Sequence, residues 1–244
     1  MESVPMPPKL QTRTIITSKS LYSGLRVTVL GLASLGLLAW TPRVHEAQTK
    51  VASRMIPTPM SALMDAYPDA LKEGARGVGN DQPPSAEDVE DQYGRILALS
   101  EAHKNPGEIV RELGRLAHLV QEITAPGSTM GTDPLRESFE SFAENRLNML
   151  VVTREPFWSL KADLDPKPKL LEWAKLKYHR HAQLLDHFDL KTGRRLGQWD
   201  DLSIPYALLQ LSYSNGVQAT ANIWILLYRA TGDLWAYPSI GSSK

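Results

Sequence analysis

The sequence predicts an all-α protein, a single helical bundle domain preceded by an N-terminal signal or anchor segment. Apolar residues recur at three- and four-residue spacing through most of the chain after residue 60, which is the period of an amphipathic helix. Clusters of proline and glycine separate these periodic segments, and no segment alternates apolar and polar residues for long enough to indicate a strand. With 42% hydrophobic and 22% charged residues, the chain has the material for a packed core.

Six helices are predicted in chain order from this periodicity. They span residues 60–73, 87–103, 106–123, 134–152, 168–188 and 206–230. The breaks between them fall at segments rich in glycine and proline, which end helices. In the third helix an apolar stripe predicts the face that enters the core, and His118 lies among its members, which are Ile109, Leu113, Leu116, Val120 and Ile123.

Residues 1–39 form a separate N-terminal segment, and residues 40–244 have the length of one domain. The segment carries four basic residues against one acidic residue, and it leads into the uncharged run at residues 27–42. At 16 residues, this run is shorter than the roughly 20 that a membrane-spanning helix needs. A basic lead before such a run is typical of an export signal, cut after Ala39 or Ala47, although residues 21–42 could also stay as an anchor or form a buried helix. A signal or an anchor would place residues 43 onward in the periplasm or outside the cell.

The composition excludes several kinds of functional site. The chain has no cysteine, so disulfides, zinc-thiolate sites, iron–sulfur clusters and thiol catalysis are absent, and any metal must be bound by histidine, carboxylate or backbone groups. The 27 basic and 27 acidic residues balance, and a neutral chain gives no specific DNA-binding signal.

The segment ELGRLAHLVQEITAPGST, at residues 112–129, carries the strongest functional motif. His118 and Glu122 are four residues apart, so they share one helix face and can hold the same cation. The segment resembles the central helix of the zinc-dependent phospholipase C and single-strand nuclease superfamily, which implies that both residues are zinc ligands. Ser128 stands where the family has its next histidine, so that ligand is missing.

Three further segments carry the same resemblance. AWTPRVHEA, at residues 39–47, is similar to the family's mature N-terminus, which implies that Trp40 and His45 chelate zinc once cleavage after Ala39 frees the amine of Trp40. Residues 133–146 resemble the family's next helix, with Glu140 at the position of a ligand, and residues 67–81 supply Asp81 as a candidate. Residues 215–231 look like the family's last helix.

Members of this superfamily are all-helical enzymes with three zinc ions, which hydrolyse phosphate esters in phospholipids or nucleic acids. The resemblance implies six metal ligands in this chain: Trp40, His45, Asp81, His118, Glu122 and Glu140. Arg136 stands where another histidine belongs, and an ion pair between Arg136 and Glu140 could replace a metal ion. We therefore expect one or two zinc ions, or none.

Two functions follow from this incomplete ligand set. The first is an exported or membrane-tethered helical domain with impaired or lost catalysis, which acts as a binding or assembly protein for an unknown protein partner. The second is a metal-dependent phosphodiester hydrolase of phospholipid or nucleotide phosphate with a reduced zinc cluster. An unrelated helical protein associated with membranes is a third alternative.

Each candidate residue also has a purely structural interpretation. His118 could be a hydrogen-bonded core histidine, and Glu140 could belong to an ion-paired helix face. Trp40 could lie at a membrane interface, with His45 on the surface. The basic stretch at residues 167–180 suits either an anionic membrane surface or a plain amphipathic helix. The histidines at residues 179–187 are spaced poorly for a second metal site.

Overall fold

The computed structural model describes residues 40–77, 84–126, 134–153 and 166–232. These residues form eight α-helices, a 3-10 turn (Leu147–Met149) and one antiparallel hairpin of strands β1 (Phe188–Asp189) and β2 (Arg194–Arg195). The helices are α1 (Pro42–Ala52), α2 (Thr58–Ala66), α3 (Pro68–Ala75), α4 (Ala86–Glu101), α5 (Pro106–Thr124), α6 (Pro134–Arg146), α7 (Lys167–Leu185) and α8 (Ile204–Thr231). The prediction of an all-α domain is confirmed. The predicted signal or anchor at residues 1–39 lies outside the described residues.

No helix within these described ranges combines the length and the apolar character that crossing a lipid bilayer requires. Even α8, with 28 residues, does not qualify.

The predicted helix at residues 60–73 is wrong, because the structure divides this region into α2 and α3. Pro68 is the physical reason. Proline lacks the backbone N–H of a helix interior and its ring clashes with the preceding turn, but it fits the first position of a new helix. Tyr67, just before it, leaves the helical conformation with φ −130° and ψ 56°.

Helix α1 was not among the six predicted helices, the first of which begins at residue 60. It begins at Pro42 after the N-cap Thr41, whose side-chain oxygen accepts a hydrogen bond from the backbone N–H of Val44 at 3.4 Å. One face of the helix enters the core and carries His45 and Gln48 with it.

Helix α5 is the centre of the bundle, with α1, α3, α4, α7 and α8 packed around it. The predicted apolar stripe is confirmed, because each of its residues is at most 1% exposed; they are Ile109, Leu113, Leu116, Val120 and Ile123. Helix α8 packs along α5, and Trp224 donates its indole N–H to the carbonyl of Leu113 at 3.3 Å. The face of α5 that bears His118 is therefore inside the molecule.

Helices α3 and α5 approach closely at two glycines. A Cβ atom on Gly114 would lie 2.3 Å from the carbonyl oxygen of Leu71, and one on Gly74 would lie 2.0 Å from that of Arg111. Any side chain at either position would force the helices apart. The close approach brings the C-terminal end of α3 against the ring of His118.

Candidate metal centre

Three buried side chains from two helices converge on one point. His45 of α1 and His118 and Glu122 of α5 each offer a ligand atom, and these atoms lie within 4.8 Å of one another. The residues are 0%, 6% and 2% exposed, respectively. Trp40, just before α1, donates its backbone N–H to Oε1 of Glu122 at 3.2 Å. Four of the six candidate ligands from the sequence therefore meet at the same place.

The orientation of His45 is determined by the side-chain amide of Gln121. Thr220 donates its hydroxyl to the carbonyl of Gly216 at 2.8 Å, so its oxygen is left to accept from Nε2 of Gln121 at 3.4 Å. The same Nε2 donates to Oγ1 of Thr49 at 3.0 Å. With the amide nitrogen fixed there, the amide oxygen lies 2.7 Å from Nδ1 of His45. It therefore accepts a hydrogen bond from the Nδ1–H of that ring.

This arrangement turns Nε2 of His45 toward Oε1 of Glu122, only 2.9 Å away. If the ring carries a single proton, on Nδ1, the lone pair of Nε2 points at the carboxylate. A lone pair and a carboxylate repel at this distance unless a cation lies between them. The cation is either a second proton on the imidazole or a metal ion.

His118 presents a second lone pair to the same point. Burial, followed by the nearby charge of His45, lowers the pKa of His118 to about 4, so its imidazole is neutral at physiological pH. The imidazole of His118 makes a hydrogen bond with the backbone of Ala75. A Cβ atom on Gly77 would lie only 2.4 Å from Nε2 of His118. Gly77 also adopts φ +69°, which favours glycine. Nδ1 of His118 is buried without a hydrogen-bond partner among the described residues.

Glu122 is ionised despite its burial. Burial raises the pKa of this carboxyl, but the hydrogen bond from His45 and the charges of His45, His118 and Lys177 outweigh it and bring the pKa to about 2. Lys177, on α7, donates its Nζ to the backbone carbonyl of Glu122 at 3.1 Å. Burial lowers the pKa of Lys177. The site therefore holds a permanent carboxylate beside two imidazole rings.

Glu140 and Arg136 form the ion pair that the sequence offered as a replacement for a metal ion. Nε of Arg136 lies 2.6 Å from Oε1 of Glu140, and both side chains are mostly buried. Burial raises the pKa of Glu140, against the opposing effect of Arg136. Glu140 lies near enough to feel the charges of Glu122 and His45, but it does not belong to the group of three ligands.

The remaining candidate residues fall into two groups, those outside the described ranges and those on α7 or just after it. Asp81 and Ser128 lie outside the described residues. His179 is exposed on α7, and neither it nor His187 belongs to a group of ligands close enough to share an ion in the described ranges. On the same helix Lys177 and Arg180 are buried, whereas Tyr178 is exposed. Two of the cations in the basic stretch at residues 167–180 therefore lie inside the protein.

Three residues around the site were missed by sequence reasoning: Gln121, Gly77 and Lys177. Gln121 is adjacent to Glu122, but its partner His45 is 76 positions away, so sequence spacing could not pair them. Gly77 looked like an ordinary helix-ending glycine. Lys177 belonged to a basic run, and its inward orientation was not evident.

No family model, curated protein or solved structure matches this chain. The relationship to the zinc-dependent phospholipase C and nuclease superfamily stays a prediction from the motifs. The functional argument rests on the geometry of His45, His118 and Glu122.

Proposed function

We propose that this protein is a helical binding or assembly protein in which His45, His118 and Glu122 hold one zinc ion that stabilises the fold. The observation that supports it is the convergence of three ligand atoms within 4.8 Å of one another in a buried site, with Nε2 of His45 and Oε1 of Glu122 2.9 Å apart. The unpartnered Nδ1 of His118 supplies the third ligand.

The donor set fits zinc. Imidazole nitrogens and carboxylate oxygens bind Zn²⁺ at about 2.0–2.2 Å, and tetrahedral geometry then separates the ligand atoms by roughly 3.3 Å. The ligand atoms here lie within 4.8 Å of one another, so small side-chain rotations would bring three of the four tetrahedral ligands into place. The hydrogen bond from His45 to Gln121 is the outer contact that metal-bound histidines normally make.

Burial favours a structural role over a catalytic one. Catalytic zinc sites keep one position open for water or substrate, whereas structural sites are closed. The three ligand residues are 6% exposed at most. Arg136 places a fixed positive charge beside Glu140, which neutralises the carboxylate that a further metal ion would need.

The second candidate is a zinc-dependent phosphoric ester hydrolase of phospholipid or nucleotide. The identity of the ligands favours it, because two histidines and one glutamate are a set used by catalytic zinc enzymes. In such enzymes the metal activates water and stabilises charge on the substrate. Under either function we propose that the protein is exported, with residues 1–39 as a signal or anchor.

The first experiment is to count zinc in the purified full-length protein by mass spectrometry after dialysis. We expect one zinc per chain, and loss of binding in His118→Ala and in Glu122→Gln. His179→Ala, which removes an exposed histidine, is the matched control and should keep the metal. A protein without bound zinc that also fails to take up added Zn²⁺ would contradict the proposal.

The same preparation separates the two functions. We expect no hydrolysis of bis(p-nitrophenyl) phosphate in the presence of zinc. Turnover that His118→Ala abolishes would overturn the non-catalytic role and leave the hydrolase.

The N-terminal amine provides a further test of the site. If export cleaves the chain after Ala39, the freed amine of Trp40 would stand at the atom that lies 3.2 Å from Glu122. A chain that begins at Trp40 should then bind zinc more tightly than the same chain extended by one alanine. Equal affinities would exclude the amine as a ligand.

A further inference from the structure

A cavity of about 580 Å³ lies between helices α1, α2 and α3 and the 3-10 turn. It contains none of the three ligands of the candidate metal centre, so an inference about it does not rest on the proposed function. Its volume falls within the roughly 300–1,000 Å³ of typical small-molecule sites.

Apolar side chains form part of the walls of this cavity. Met64 and Ala75 contribute fully buried side chains, and Ala47, Leu71 and Leu147 contribute partly buried ones. These side chains come from four separate elements, α1, α2, α3 and the 3-10 turn, and line one space. Such a lining suits a hydrocarbon chain, because apolar surface gains free energy when it leaves water.

Two cations on α1 also line the cavity without a charged partner. Arg43 and Lys50 are seven residues apart, so they share one face of the helix, and both are exposed. Among the described residues, no carboxylate lies within ion-pairing distance of either one.

The acidic residues of the lining do not compensate these two cations. Glu46 is already engaged by Lys72 at 3.3 Å and by Arg76 at 2.6 Å. Asp65 is the other carboxylate of the lining, and it is exposed. With Lys72, the lining carries three cations against these two carboxylates, which leaves an excess of one positive charge beside the apolar side chains.

We propose that this cavity binds a single-chain amphiphile with an anionic head group. The hydrocarbon chain packs against Met64, Leu71 and Leu147, and the head group lies at Arg43 and Lys50. Complementary charge selects the anionic head over a cationic or neutral one, and the apolar walls select the tail.

Binding to the full-length protein is measured by isothermal titration calorimetry with three amphiphiles that share a ten-carbon tail. We expect decanoate and decyl phosphate to bind with a stoichiometry of one, and their relative affinities distinguish a carboxylate from a phosphate head group. Decyltrimethylammonium should bind at least about tenfold more weakly because its charge is reversed. Failure of both anionic probes to bind, or equal binding of the cationic probe, would overturn the proposal.

Variants locate the binding to this cavity. Arg43→Glu with Lys50→Glu should weaken decanoate binding at least about tenfold, since two favourable charges become repulsive. Lys104→Glu with Lys175→Glu reverses two exposed lysines elsewhere and should leave the affinity unchanged. Ala47→Phe fills the cavity while it keeps both cations, and should abolish binding. Equal losses in the two charge-reversal variants, or binding that survives Ala47→Phe, would contradict the assignment.

Discussion

The side-chain amide of Gln121 decides which nitrogen of His45 faces Glu122. Its nitrogen is committed to two threonine hydroxyls, at 3.0 Å for Thr49 and 3.4 Å for Thr220, so its oxygen faces Nδ1 of His45. A chain of ordinary hydrogen bonds thus fixes a tautomer at the centre of the protein. Loss of one link should weaken the metal site without removing a ligand.

We predict that Gln121→Leu lowers the zinc affinity about 10- to 100-fold, the usual effect of removing an outer partner of a metal-bound histidine. It should also cost about 1–3 kcal/mol of stability, because the buried threonine hydroxyls lose their partner. Gln121→Glu keeps an oxygen opposite Nδ1 but loses the bonds donated to Thr49 and Thr220, so it should retain zinc affinity while it shares the loss of stability. A chelator competition titration measures both variants. Equal zinc binding by Gln121→Leu and the wild type would refute the role of this amide.

The two shifted pKa values at the site predict how the metal-free protein responds to acid. His118 has a pKa of about 4 in the native state and an ordinary pKa of 6.5 in the unfolded chain. Between these pH values the unfolded chain binds a proton on His118 and the native state does not. Stability should fall as the pH drops from about 6.5 to about 4, by on the order of 3 kcal/mol. The ionised Glu122, with a pKa of about 2 against 4.5, adds a further loss between about pH 4.5 and 2.

Urea unfolding in the presence of a chelator at several pH values tests this prediction. His118→Asn removes the titrating imidazole, so its stability should not fall between about pH 6.5 and 4.5 and should fall below that range through Glu122. A wild-type stability that does not change from pH 6.5 to 4.5 would show that His118 is protonated in the folded state.

At the scale of elements, the packing of α3 on α5 depends on glycines that helix propensity disfavours. Glycine inside a helix costs roughly 0.5–1 kcal/mol relative to alanine. At Gly114 this cost is outweighed, since a Cβ would lie 2.3 Å from the carbonyl oxygen of Leu71. The short distance between α3 and α5 also allows the hydrogen bond between the backbone of Ala75 and the ring of His118.

We predict that Gly114→Ala destabilises the protein by about 1–3 kcal/mol or more, because the helices must separate. Gly94→Ala is the matched control on α4, where no atom lies within 4 Å of the added Cβ, so the same substitution should stabilise by about 0.5–1 kcal/mol. Chemical denaturation of both variants gives the comparison. Two variants that change stability in the same direction would refute the proposed close packing.

At the scale of the whole molecule, the candidate site joins α1 to α5. His45 and Trp40 come from the first described residues, and Glu122 lies 82 positions beyond Trp40. A metal ion at this position would cross-link distant parts of the chain. Its binding energy would therefore add directly to the stability of the fold.

We predict that zinc at 100 times its dissociation constant stabilises the protein by about 2.7 kcal/mol. For a chain of this size, that corresponds to a rise in Tm of roughly 5–10 °C. Differential scanning fluorimetry measures the shift, which a chelator should reverse and which should be absent in His118→Ala. The same rise in His118→Ala would place the bound zinc elsewhere.

The sequence alone determined the all-α class, the apolar stripe of α5 and the pairing of His118 with Glu122. These features follow from local periodicity, because residues four apart on a helix share a face wherever the helix is placed. The division between α2 and α3 was also within reach, since Pro68 carries the signal, but the periodic pattern across it was given more weight. The resemblance supplied Trp40 and His45, which periodicity could not.

The tertiary structure decided everything that depends on residues far apart in the chain. It placed His45 against Glu122, aimed Gln121 at His45, and turned Lys177 inward beneath the carbonyl of Glu122. It also opened the cavity between α1 and α3, two helices that the sequence did not delimit. Local sequence fixes which way a side chain points from its own helix, but helix packing fixes what that side chain meets, and the chemistry of a site depends on that contact.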